Sequence, residues 1–411
     1  MIEHIKNLSI WKKIILIDIL SVIAAYYLVN YLDIIITDYR WIQWIKTNGL
    51  LHIYDSWDID IPIDYPPLYL IWLYFIRNLV GTPMSNYTQL VMKLLPLGVQ
   101  IVSQVFIYRK ISPKAALDWS INFALLVNIV IYGQRDGIVG LLIVMLYYYM
   151  KKQKWLEPAL IVTAFCLLKP QGLYFIFILL LYYVINRVAV KRVMMALIVS
   201  VAGGYIAFLP FAVTGKDYLI SIKLYLYEFG VHKVFGSVAG NFWGLFEHWQ
   251  LPGFLDRISI LFVLGCTVVA LFVYIKTRDF VFTSIIYMLA IFMFTFSQHG
   301  RYSIYTMCIL YVAIYIYDYD EYKEAYSVIT VSTVLAQLGI ILYNRIMVGT
   351  FGLDIMGVML EMTYDMLYRL YALRYITIIS TFLLNVICIK HLIRIGVLRS
   401  GRLNGKTQDV K

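Results

Sequence analysis

The chain has 411 residues, of which 62% are hydrophobic and only 14% charged, with a formal net charge of +11. Long uncharged stretches recur from end to end, which excludes an ordinary soluble domain, because lipid accepts such runs only as helices of about 20 residues. The basic excess does not point to nucleic acid; in a chain of this kind Lys and Arg mark cytoplasmic loops.

The expected fold class is therefore all-α, a polytopic membrane protein. Apolar runs lie near 14–36, 89–107, 117–132, 137–150, 156–168, 171–185, 193–213, 257–275, 280–296, 303–317, 325–343 and 371–389, about twelve spans by length. The first run is too long for a cleavable signal peptide and lacks a small-residue cleavage site. With the N-terminus inside, the inner loops read "YRKISPK", "KKQK", "NRVAVKR", "KTRD", "DYDEYKE" and the basic tail; all but the acidic 318–324 obey the positive-inside bias. The run "YPPLYLIWLYFIRNLVG" (65–81) would invert every later loop if it crossed. It is read instead as a juxtamembrane helix in the first outer loop, started by two prolines whose missing N–H groups cost nothing there. Cys166, Cys266, Cys308 and Cys388 all fall inside apolar runs and read as small core residues, not a disulfide or zinc framework. Residues 1–310 are expected to form a transmembrane module with outer loops 38–88 and 214–256. Residues 311–411 add further spans, an outer segment 344–370 and a basic cytoplasmic tail.

With this alternation the unusual polar residues fall on one side. Asp38 follows the first span in "TDYRWIQW". "GQRDG" (133–137) and "KPQG" (169–172) are turns between spans, "AGNFWGLF" (239–246) lies in a long outer segment, and "SQHGRYSIY" (297–305) is a later outer turn. Ionisable residues at membrane depth are costly and are functional candidates by default. Asp136 and Arg135 also fit a plain polar turn with an internal ion pair, and Lys169 fits a side chain that snorkels to the interface. Asp55, Asp58, Asp60 and Asp64 read as a solvated loop; Asp58 and Asp60 have the spacing of a weak divalent-metal site.

The order "TDYRWIQW…DSWDIDIPIDYPPLYL", "GQRDG", "KPQ" and a His-x-Arg-Tyr turn resembles the membrane glycosyltransferases of the GT-C superfamily. The nearest likeness is to bacterial multispanning transferases related to protein O-mannosyltransferases and lipid-linked-sugar transferases. The likeness covers roughly residues 1–310 and rests on the shared order of short motifs. It implies a polyprenyl-phosphate sugar as donor and a glycan, polymer, lipid or protein as acceptor outside the cytoplasm. It implies a carboxylate in the first outer loop as base, basic residues on the lipid phosphate, and in some members a metal. Carried onto this chain, Asp38 becomes the catalytic base, with Asp33 as an alternative. Lys169, Arg301, His299 and Tyr302 become the donor-phosphate group, and Gln134, Asp136, Asn241 and Trp243 the sugar or acceptor contacts. Many relatives have Glu where this chain has Gly300, which removes a partner carboxylate from His299. The chemistry is self-consistent: a phosphate leaving group needs cations and no strong acid, while an acceptor hydroxyl needs a base. A flippase for lipid-linked sugars would share the spans and the basic cavity. It predicts a repeat between halves, and none is visible in the sequence.

Overall fold

The structure is a computed structural model that describes residues 8–28, 37–55, 63, 65–82, 85–231, 236–237, 239–246, 259–296, 298–351 and 364–408. Asp33, Asp58, Asp60 and Asp64 lie outside the described residues. Nearly everything described is helical, and the chain divides into two compact units, Met1–His232 and Lys233–Lys411.

In the first unit α1 (Ile10–Tyr27) is followed by α2 (Tyr39–Asn48), a 3-10 turn at Leu50–Asp55, and α3 (Pro67–Ile76). Pro67 occupies the first turn of α3, as the paired prolines predict. At ten residues α3 is about 15 Å long, half the thickness of a hydrocarbon core. Next come α4 (Asn86–Lys110), α5 (Pro113–Ser120) and α6 (Phe123–Leu126), the last continued by a π-helical turn, Val127–Tyr132. Their starts are set by side-chain caps: the Thr88 amide donates to Ser85 Oγ, Ala115 to Ser112 Oγ and Leu125 to Asn122 Oδ1, each at 3.1 Å. The unit closes with α7 (Asp136–Lys151), α8 (Leu156–Leu168), α9 (Tyr174–Ile185), α10 (Val190–Thr214) and α11 (Ile220–Val231). α4 packs on α1 and α5, while α8 packs on α7, α10 and α3.

The second unit contains α12 (Ser259–Thr277), α13 (Phe280–Phe294), α14 (Ser303–Tyr315), α15 (Lys323–Phe351) and the long α16 (Tyr364–Gln408). A two-residue parallel bridge joins Gly236–Ser237 to Gln298–His299. α15 runs along α16, and Asn385 on α16 ties them to the 239–246 segment: its Nδ2 donates to Gly240 O at 2.5 Å and its Oδ1 accepts from Ser332 at 2.9 Å.

The expectation of twelve spans is corrected. Among the described residues four helices are long and apolar enough to cross a membrane, within Asn86–Lys110, Val190–Thr214, Ile260–Thr277 and Ala372–Val397; α5 with the helix after it makes a fifth if that bent pair is one span. Other apolar runs fold as shorter helices such as Leu156–Leu168 and Phe280–Phe294, well below the roughly 20 residues that lipid requires. Phe280–Phe294 is buried along nearly its whole length, so protein rather than lipid accounts for its hydropathy. α1 carries Lys12, Lys13 and Asp18 within its 18 residues.

The acidic exception among the loops has a structural reason. Arg399 of α16 donates to Glu321 Oε1 at 2.7 Å, pairs with Asp279, and lies over the Tyr319 ring at 4.2 Å. His391 Nδ1 of the same helix stands 3.3 Å from Glu324. The acids of 318–324 receive the basic end of α16. Arg399→Gln should lower stability by about 2 kcal/mol, the worth of hydrogen bonds to charged groups, read as a fall in melting temperature of the detergent-purified protein.

Candidate functional site

Two ion pairs are buried side by side in the first unit. Asp38 stands just before α2 but makes no side-chain cap to that helix. Its Oδ1 accepts from Arg135 Nη2 at 2.9 Å, its Oδ2 from the Tyr69 hydroxyl at 2.7 Å, and it is 1% exposed. Asp136 begins α7, where the helix dipole favours a negative charge, and its Oδ1 accepts from Lys169 Nζ at 2.5 Å. Lys169 and Asp136 are both fully buried. Neighbouring residues 135 and 136 thus reach two different partners, each in a different loop. Arg135 and Asp136, which also fit a plain polar turn, reach the long-range partners Asp38 and Lys169.

Local chemistry puts each group in place. Gly133 ends the π-helical turn in the left-handed region, with φ of 61°, and redirects the chain into α7. Pro170 holds the preceding residue extended, so α8 stops at Leu168 and Lys169 takes φ of −154° and ψ of 134°. Gly172 then lets the following 3-10 turn lie against the end of α8; a Cβ there would stand 2.5 Å from the Cys166 backbone nitrogen. On the other side α3 presents Tyr69. The Arg135 guanidinium lies over the rings of Tyr65 and Tyr69, at 4.2 and 3.9 Å from their centres, and Trp41 packs on Tyr65 at 5.5 Å. Burial pushes the Tyr69 phenol well above its usual range, with Arg135 opposing and Asp38 adding to the shift, so Tyr69 remains a donor to Asp38.

Two carboxamides complete the cluster. Asn128, in the π-helical turn, donates Nδ2 to Asp136 Oδ2 at 3.3 Å, and Gln134 Oε1 accepts from Arg135 Nη1 at 3.4 Å. Both residues are fully buried, and the Gln134 amide N–H closes onto Asn128 O at 3.1 Å. In the same unit α8 to α11 line an open apolar cavity of about 460 Å³, whose walls include Val162, Cys166, Leu167, Ile176 and Tyr205.

Of the residues singled out by sequence, Asp38, Gln134, Asp136 and Lys169 come together here. Tyr69 and Asn128 were missed, and Arg135 was taken only as a partner of Asp136. Asn128 had a signal, an amide within an apolar run; Tyr69 had none among so many aromatics. Asn241, Trp243, His299, Arg301 and Tyr302 belong to the second unit. Asn241 is used structurally: Nδ2 donates to Phe292 O at 3.0 Å and Oδ1 accepts from the Gly244 amide at 2.7 Å. Trp243 donates to Phe294 O at 2.8 Å and packs on Phe296 at 4.3 Å. Arg301 is 4% exposed with the Tyr302 ring 5.6 Å away, and His299 lies edge-on to that ring at 5.3 Å. Asp55 pairs with His52 at 2.7 Å on the surface. Among the described residues no three His, Cys, Asp or Glu side chains gather as a metal site would require.

No protein-family model matches the chain, and no curated protein is significantly similar to it.

Lys169→Met would leave Asp136 buried without its cation and should cost about 3–5 kcal/mol, whereas Lys169→Met with Asp136→Asn should recover most of the loss. Thermal unfolding of the two variants in detergent checks this.

Proposed function

We propose that the chain is an inverting membrane glycosyltransferase of GT-C type. It moves a hexose or related sugar from a polyprenyl-phosphate carrier to an acceptor hydroxyl on the extracytoplasmic side of the cell membrane. The observation that carries this reading is Asp38: a carboxylate following the first apolar helix, buried, not used as a helix cap, and oriented by Arg135 and Tyr69. A base held at a fixed angle by two donors is what removal of a proton from an acceptor hydroxyl needs. The apolar cavity lined by α8 to α11 suits the hydrocarbon part of a lipid-borne donor.

One role shifts from the expectation. Lys169 is neutralised by Asp136 at 2.5 Å, so it is a weak choice for the donor phosphate. Arg301 is the other cation that the resemblance assigns to a donor phosphate, and it belongs to the second unit.

A buried ion pair also serves as a plain structural tie, and the two roles separate experimentally. Asp38→Asn alone leaves Arg135 uncompensated and mixes folding with chemistry. Asp38→Asn combined with Arg135→Gln restores neutrality. This double variant should keep a melting temperature near that of the parent and lose transfer by at least about a hundredfold, the usual worth of a general base. Sugar transfer from radiolabelled polyprenyl-phosphate sugars in membranes carrying the variant is the measurement; a stable double variant with full transfer removes Asp38 from the chemistry.

A further inference from the structure

Each ion pair ends on a carboxamide that is half used. Asn128 spends Nδ2 on Asp136, and Gln134 spends Oε1 on Arg135. The amide orientations follow from chemistry, since a carboxylate requires the NH2 group and a guanidinium requires the oxygen. What remains is an acceptor, Asn128 Oδ1, and a donor, Gln134 Nε2, and neither has a hydrogen-bond partner among the described residues. Both side chains are fully buried, where an unmade hydrogen bond costs about 1–3 kcal/mol. The Gln134 N–H to Asn128 O bond holds the backbones of the two residues together.

Charge decides what fits. Asp38 and Asp136 are balanced by Arg135 and Lys169, each carboxylate bonded to its own cation. The four charges sum to zero, so the cluster has no surplus cation for a phosphate. A neutral hydroxyl has the complementary pattern: it accepts from Gln134 Nε2 and donates to Asn128 Oδ1.

We infer that Asn128 and Gln134 form a subsite for a sugar hydroxyl, which anchors the acceptor beside Asp38 and is not the group that reacts. The inference rests on the transferase reading for the role of the ligand, not for its binding. The amides hold one hydroxyl, and a neighbouring hydroxyl of the same ring is the one offered to the base.

The test is binding to the full chain purified in detergent, with methyl hexosides as probes and inorganic phosphate as the competing chemistry. Saturation-transfer NMR on the sugar protons and the shift in melting temperature are the readouts. Saturable binding of at least one hexoside is expected, weakened about tenfold by Gln134→Met, which keeps the side-chain length, and similarly by Asn128→Leu, with no saturable shift from phosphate. Hexoside binding that persists unchanged in a folded Gln134→Met variant would overturn the assignment. So would saturable phosphate binding lost in that variant, or the absence of any hexoside signal in the parent, which would leave the amides to ordered water only. Hexoside binding without any transfer activity would keep the subsite and reject the enzyme.

Discussion

A charge removed from water must find an opposite charge or a set of hydrogen bonds, and this requirement organises the first unit. Desolvation costs several kcal/mol per ion, more than any one loop contact returns. Asp38 after α1, the turn 133–136 before α7, and the extended Lys169 after α8 lie far apart in sequence. They meet because Arg135 and Asp136 reach in different directions for partners. The same rule acts in the second unit, where Arg399 draws Asp279 and Glu321 together and makes sense of an acidic loop where the sequence pattern leads one to expect a basic one. Hydrophobic burial builds the helices; charge pairing fixes where their ends lie.

Electroneutrality also shapes the chemistry. A cluster with surplus positive charge would attract a lipid phosphate; a balanced one recognises neutral groups through hydrogen-bond geometry. The half-used amides of Asn128 and Gln134 and the oriented carboxylate of Asp38 fit the second description. The unit holds both an apolar cavity lined by α8 to α11 and a polar cluster in which two acids pair with two bases.

Much of the fold was legible in the sequence, and the reasons differ by element. The helical class followed from hydropathy, and the start of α3 from its two prolines. The number of spans was not legible, because apolar runs buried by protein and by lipid look alike; Phe280–Phe294 is the clearest case. At the site, Asp38, Asp136, Gln134 and Lys169 stood out as polar residues at the ends of apolar runs, and the structure gathers them. Their partners did not stand out. That Arg135 turns to Asp38, 97 residues away, while Asp136 turns to Lys169 depends on backbone direction at Gly133, and no local pattern encodes it.

The π-helical turn at Val127–Tyr132 carries one more residue per turn than the α-helix that leads into it. Each residue of an α-helix rotates about 100° around the axis, so closing this widened turn by a single-residue deletion would swing Asn128 away from Asp136 while leaving composition and hydropathy untouched. The register of six residues, invisible to any count of apolar positions, therefore separates a chain that has the polar cluster from one that has only its ingredients.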